Sequence, residues 1–235
     1  MKHLMRKTVL AAGFALAALG MTTANAATVT TTSASVTNAD AGFSWTVNFI
    51  CSAALPCNGG NPGVTLTASA VFTLTSVITS ASTVQWGINL VLSNTGTDGF
   101  LTAMGFNTDP NAVLGSLVDS ALDGIVFSGG AGAIPGFNTE LCVWDGNSCT
   151  AANDHDLTTG LSDTMSFVLT TGLSSVLDFT NFAVKVAGAG QSDGSFEFGG
   201  TIGTTPAPVP LPAAGGLLLV GLGALVALRR KQKAA

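Results

Sequence analysis

The chain predicts an all-β fold, an antiparallel β-sandwich of jelly-roll-like form, flanked by a signal peptide and a C-terminal transmembrane helix. Three observations predict it. Apolar and polar residues alternate in period two through most of the interior, the signature of half-buried strands. Clusters of Gly, Asn and Asp punctuate those runs. Finally, nearly all basic residues and the longest apolar stretches sit at the two ends. The expected organisation is a signal peptide over 1–26, an exported domain over 27–203, a Pro-rich linker over 204–213, a membrane segment over 214–228 and a basic cytoplasmic tail over 229–235.

Taken in order, Lys2, Arg6 and Lys7 form a positive n-region, Thr8 to Leu19 an apolar stretch, and Ala24-Asn25-Ala26 an A-x-A cleavage site. Cleavage after Ala26 makes Ala27 the mature N-terminus. Trp45, Val47 and Phe49 then alternate with Ser44, Thr46 and Asn48. Val64, Leu66, Ala68, Ala70, Phe72 and Leu74 form one face of the next run, with threonines and serines on the other. Val84, Trp86, Ile88, Leu90 and Leu92 repeat the pattern. Later runs are Met165-Phe167-Leu169, Phe182-Val184-Val186 and Phe196-Phe198. Threonine suits the polar faces because its β-branched side chain packs well on a pleat. Asn58 to Gly63 and Asn94 to Gly99 read as turns. Ser128 to Ala133 reads as a link, and Ala112 to Leu122 has helical spacing through Val113, Leu117, Val118 and Leu122. Roughly eight strands are expected by this reading.

Charge is distributed unevenly. The chain has 8 Lys+Arg and 13 Asp+Glu. Lys185 is the one basic residue between Ala27 and Thr205, whereas every acid falls between Asp40 and Glu197. Such a domain repels nucleic acid and phosphate chains, which are bound through Lys and Arg. No nucleic-acid partner is expected; cations and neutral glycans remain compatible.

The four cysteines, Cys51, Cys57, Cys142 and Cys149, suit disulfides in an oxidising compartment. Three connectivities are open. The short loops Cys51–Cys57 and Cys142–Cys149 are preferred because each brackets a turn-like segment. Their spacings are too wide for the close cysteine pairs of zinc sites.

Candidate chemistry is sparse. Asn153, Asp154 and Asp156, around His155, supply hard oxygen ligands of the kind Ca²⁺ takes, but without the spacing of an EF-hand. A solvated polar loop explains them equally well. No Gly-x-Ser-x-Gly elbow accompanies His155, and Glu140 and Glu197 lie in no recognisable motif. No catalytic residue, resident metal or cofactor is therefore assigned. Trp45 and Trp86 alternate in phase with aliphatics and belong to the core. Trp144, inside the second cysteine loop, is the candidate for glycan stacking, set against its role as a lid over one end of the fold.

The tail carries the most specific pattern. Val209-Pro210-Leu211-Pro212-Ala213 precedes an uncharged run from Ala214 to Leu228, and Arg229-Arg230-Lys231 follow as a basic stop. Counted from Leu211, the run is at the short end of the roughly 20 residues a spanning helix needs. The basic cluster fits a cytoplasmic terminus. This tripartite pattern resembles the PEP-CTERM sorting signals, in their VPLPA variant. The resemblance implies an exosortase-type membrane enzyme as processing partner and a transient stay in the inner membrane of a Gram-negative bacterium. Delivery to the cell surface or an exopolysaccharide matrix would follow. Gly105 to Pro110, read as a turn, the Cys142–Cys149 loop and a strand around Asn181 to Val186 are also similar to the cistern family of PEP-CTERM proteins, which brings no activity with it. The expected function is thus non-enzymatic and structural or adhesive, in biofilm or exopolysaccharide. The alternatives are a carbohydrate-binding module and a periplasmic domain held permanently by its anchor.

Overall fold

The computed structural model describes residues 27–55, 57–120, 124–127, 134–144, 149, 157–189 and 194–203. Side-chain placement is not described for 119–120 or 124–127. The strands are β1 (Thr28–Val29), β2 (Ser33–Thr37), β3 (Ser44–Cys51), β4 (Leu66–Thr79), β5 (Thr83–Asn94) and β6 (Phe100–Asp109), then β7 (Val113–Ser120), β8 (Gly124–Phe127), β9 (Leu141–Trp144), β10 (Ser162–Gly172), β11 (Val176–Ala189) and β12 (Gly194–Gly203). The described residues contain no helix. All pairings are antiparallel and join one large sheet in the order β7-β10-β5-β4-β3-β12-β11-β6-β9-β8, with β2 also on β11 and β1 on β2.

The alternating runs become strands as expected. Along β4, Leu66, Ala68, Ala70, Phe72 and Leu74 are buried while their neighbours are half-buried or exposed. Val84, Trp86, Ile88, Leu90 and Leu92 line β5, and Met165, Phe167 and Leu169 line β10. A side-chain period of two places these apolar sets on one face of a continuous surface. The opposite face is wet, and hydroxyls and amides bond across it: Ser44 to Thr73 at 2.8 Å, Asn89 to Ser166 at 3.2 Å and Ser93 to Ser162 at 2.7 Å.

Strand β12 joins the two halves of the sheet. It pairs with β11 through Gly199 and with β3 from Gly200 onward. A Cβ at Gly200 would collide with the side chains of Phe49 and Val47, so the crossing needs glycine there. Beyond the crossing, rings from the two halves meet. Trp45 on β3 stacks on Phe72 of β4 at 5.1 Å and touches Phe179 of β11 at 4.9 Å. Phe72 meets Phe106 of β6 edge-on at 5.4 Å and Phe182 at 5.8 Å. Such offset and edge contacts add to the area these rings bury.

Three expectations need correction. The stretch with helical spacing, Ala112 to Leu122, contains strand β7. Against β10, Leu114, Leu117 and Ser120 pair with Leu169, Phe167 and Met165. Three residues advance on β7 for every two on β10, because two bulges interrupt the register. Val113, Leu117 and Val118, which gave the helical spacing, are exposed on this edge strand and line no buried face. Gly105 to Asp109, read as a turn, is the second half of β6 and runs straight to the cis peptide Asp109–Pro110. Twelve strands are present among the described residues, where roughly eight were expected.

Candidate functional site

The chain's least ordinary chemistry lies on the β11–β12 hairpin. Lys185 pairs directly opposite Glu197, and they are only 4% and 6% exposed. Directly opposed residues of an antiparallel pair project to the same face. Both strands place phenylalanines and valines on the core side: Phe182, Val184 and Val186 on β11, Phe196 and Phe198 on β12. Alternation then sends Lys185 and Glu197 to the other face. Burial pushes the Lys185 ammonium below its ordinary value, and the Glu197 charge opposes that shift. Burial likewise raises Glu197, against the charge of Lys185 and a bond from Ser195 Oγ at 3.4 Å.

This face is dry because other segments lie on it. Trp144, Ala103, Lys185, Glu197 and Asn58 form one transverse row, each opposite the next. Cys142, Gly105, Ala183 and Gly199 form the adjacent row. That second row is a floor of small residues, and residues 134–139 cross it as a strap. Ile134 packs into a second cluster with Ala103, Ala183, Cys142 and Cys149, and Phe137 and Trp144 lean on it. A Cβ at Gly105 would stand 2.6 Å from Thr139 Oγ1, so a larger residue there would lift the strap.

Polar side chains hold the strap in place. Asn107 Nδ2 and Asn181 Nδ2 both donate to the Asn138 carbonyl, at 2.9 and 2.7 Å. Asn107 Oδ1 accepts from Glu140 N at 2.8 Å. Asn181 takes φ of +52°, a left-handed conformation that asparagine tolerates better than most residues, at the bulge in β11. Asn58 Nδ2 donates to the Pro135 carbonyl at 3.2 Å. Asn58 also exchanges both backbone hydrogen bonds with Glu197, at 2.8 and 3.1 Å.

Both expected cysteine pairs are formed and flank this region. The Cα atoms of Cys51 and Cys57 are 5.6 Å apart, and those of Cys142 and Cys149 are 6.2 Å apart. The first pair ends next to Asn58, and the second lies within the cluster under the strap. Trp144 is half-buried at the end of β9, leaning on that cluster. Trp45 and Trp86 are buried in the main core, as expected. Trp86 Nε1 donates to Thr171 Oγ1 at 3.1 Å, whereas Trp45 Nε1 finds no partner among the described residues.

The remaining candidates lie outside the described residues: Ala24 and Ala26, the cation candidates Asn153, Asp154 and Asp156, the motif Val209 to Ala213, the membrane segment and Arg229 to Lys231. Among the described residues no three His, Cys, Asp or Glu side chains converge as metal ligands, and no helix is long and apolar enough to cross a membrane. Comparison with protein-family models, with curated proteins and with solved structures finds no match.

The buried Lys185 and Glu197, opposed on neighbouring strands, and the strap were not expected from the sequence. A signal for the pair exists in Val184-Lys185-Val186 and Phe196-Glu197-Phe198. Each places a charge between two core residues, and the charges are opposite and a hairpin apart.

Proposed function

We propose that the protein is a non-enzymatic, exported surface or matrix component whose domain is a jelly-roll-like β-sandwich, its two half-sheets facing each other across the aromatic core. The observation that carries the export reading is the pair of disulfides, Cys51–Cys57 and Cys142–Cys149. Disulfides persist in oxidising compartments, and the chain that holds them opens with a signal-peptide pattern. The VPLPA-type tail then directs the protein to an exosortase-type enzyme in the inner membrane, and from there to the surface or to exopolysaccharide.

The burial of Lys185 supports a role among neutral polymers. No Lys or Arg of residues 27–203 is left to attract phosphate or nucleic acid. Loop-tying disulfides and a buried cation suit a module that must keep its shape outside the cell. A glycan-binding role is the second reading, favoured by the half-exposed Trp144 ring beside the Cys142–Cys149 disulfide.

The test is the intact mass of the cell-associated and released protein, from a host with and without its exosortase. The expected product ends between Val209 and Ala213, and only where the enzyme is present. A product that keeps Arg229 to Ala235 in both strains would make the protein a permanently anchored periplasmic domain. For the second reading, a Trp144→Ala protein that binds glycan arrays like the parent would remove Trp144 as the contact.

A further inference from the structure

Ala27 is the residue that signal removal would expose as a new α-amine. In the fold it is 8% exposed and its methyl joins the main core. Its backbone nitrogen donates to Asp40 Oδ1 at 3.1 Å. The other carboxylate oxygen, Oδ2, accepts from Thr37 N at 2.7 Å and from Thr37 Oγ1 at 2.6 Å. The turn carrying Asp40 is closed by Asp40 N to Thr37 O at 3.1 Å and Phe43 N to Asp40 O at 2.8 Å. The orientation of the carboxylate is thus set by its own turn.

The nitrogen is held from the other side. Thr28 and Val29 pair with Ser35 and Ala34, and Ile202 N on β12 donates to the Thr31 carbonyl at 2.9 Å. Charge supplies an independent argument. Lys185 is the one Lys or Arg of residues 27–203, and it faces Glu197. The fixed positive charge that cleavage adds to this acidic domain therefore arises beside Asp40.

We propose that cleavage after Ala26 completes the fold: the α-ammonium of Ala27 docks on Asp40 as an ion pair that the precursor cannot form. In the precursor the Ala27 nitrogen is an amide with one neutral N–H. Hydrolysis of the Ala26–Ala27 bond consumes one water. The carboxylate departs with Ala26, and Ala27 keeps an amine that takes up a proton near neutral pH. The acceptor already stands at hydrogen-bond distance, so charge is gained without rearrangement. A charge-assisted bond is roughly twice as strong as a neutral one. The inference rests on the expected cleavage position and is independent of C-terminal processing, so the sorting proposal and this one can fail separately.

The experiment compares the chain beginning at Ala27 with the same chain preceded by Gly-Ser, each as parent and as Asp40→Asn. Asparagine can still accept from Thr37 but carries no charge. The extension is expected to lower Tm by about 2–5 °C in the parent, the range that loss of one partly buried ion pair gives for a domain of this size. In Asp40→Asn it should change nothing. An extension that costs the same in both backgrounds, or nothing in the parent, would overturn the proposal. A second readout does not depend on melting: acylation of the Ala27 amine by an amine-reactive ester, followed by mass spectrometry. Reaction should be about 10-fold slower in the parent than in Asp40→Asn, the ratio that a stabilisation of about 1.4 kcal/mol gives. Equal rates would overturn it, as would an exported protein whose N-terminus is a residue other than Ala27.

Discussion

The two halves of the sheet solve the same burial problem differently. Along β4, β5 and β10 one face is buried and the other meets water, so the strands alternate, apart from the buried Gly87 on β5. Along β6 and β11 six consecutive residues are buried, from Leu101 to Phe106 and from Phe182 to Ala187. The strap of residues 134–139 and Cys149 pack on the outer face of that second half. A sheet with one wet face leaves its polar residues to solvent. A sheet covered on both faces must satisfy them internally: Lys185 faces Glu197, and Thr102 Oγ1 donates to the Lys185 carbonyl at 3.3 Å.

The comparison is broken most severely at Lys185 and Glu197, two buried charges on facing positions. Lys185→Met removes the positive charge that faces the buried Glu197 and is expected to cost about 3–5 kcal/mol in denaturant unfolding. The double variant Lys185→Met/Glu197→Leu should recover most of that loss, because a packed apolar pair avoids desolvating either charge. If the double variant is no better than the single one, the pair does more than satisfy itself.

Removing the second disulfide with Cys142→Ser/Cys149→Ser should cost about 2–3 kcal/mol, the usual value for a loop of this size. Limited proteolysis should then cut first at residues 134–144, with β4 and β5 intact. First cuts in β4 or β5 would contradict the layered description.

Titration sharpens the contrast. Glu197 has a raised pKa in the folded state, so its contribution to stability is full below the ordinary value of 4.5 and is lost as pH rises through the higher folded value. Stability measured upward from pH 4.5 should fall over that window, and Glu197→Gln should remove that component of the slope.

The smallest effect belongs to the wet face. Ser93→Ala, which removes an exposed hydroxyl bonded to Ser162, should change stability by less than about 0.5 kcal/mol. A larger loss would mean that this face is covered after all.

Legibility in the sequence follows the same division. Period-two runs such as Leu66 to Leu74 were readable because one face meets water and the residue types record it. Where the strap covers β6, the small residues Ala103 and Gly105 that make room for it broke the pattern, and Gly105 to Asp109 read as a turn. At β7, apolar residues exposed on an edge strand, Val113, Leu117 and Val118, read as a helical face that the fold does not bury. The cysteine pairs were legible because short loops constrain the partner. The grip of Asn107 and Asn181 on Asn138 was not, since residues far apart in the chain meet only once the sheet has formed.

The placement of Lys185 has a consequence for resistance to proteolysis. Trypsin-like proteases cut after lysine or arginine, and residues 27–203 offer them a single address. That address lies in the middle of β11, between β6 and β12, and is almost fully buried. It becomes reachable only when those strands separate, so digestion by such an enzyme is all-or-none and its rate counts openings of the sheet. A domain of this composition is hidden from one of the commonest protease specificities for as long as it stays folded.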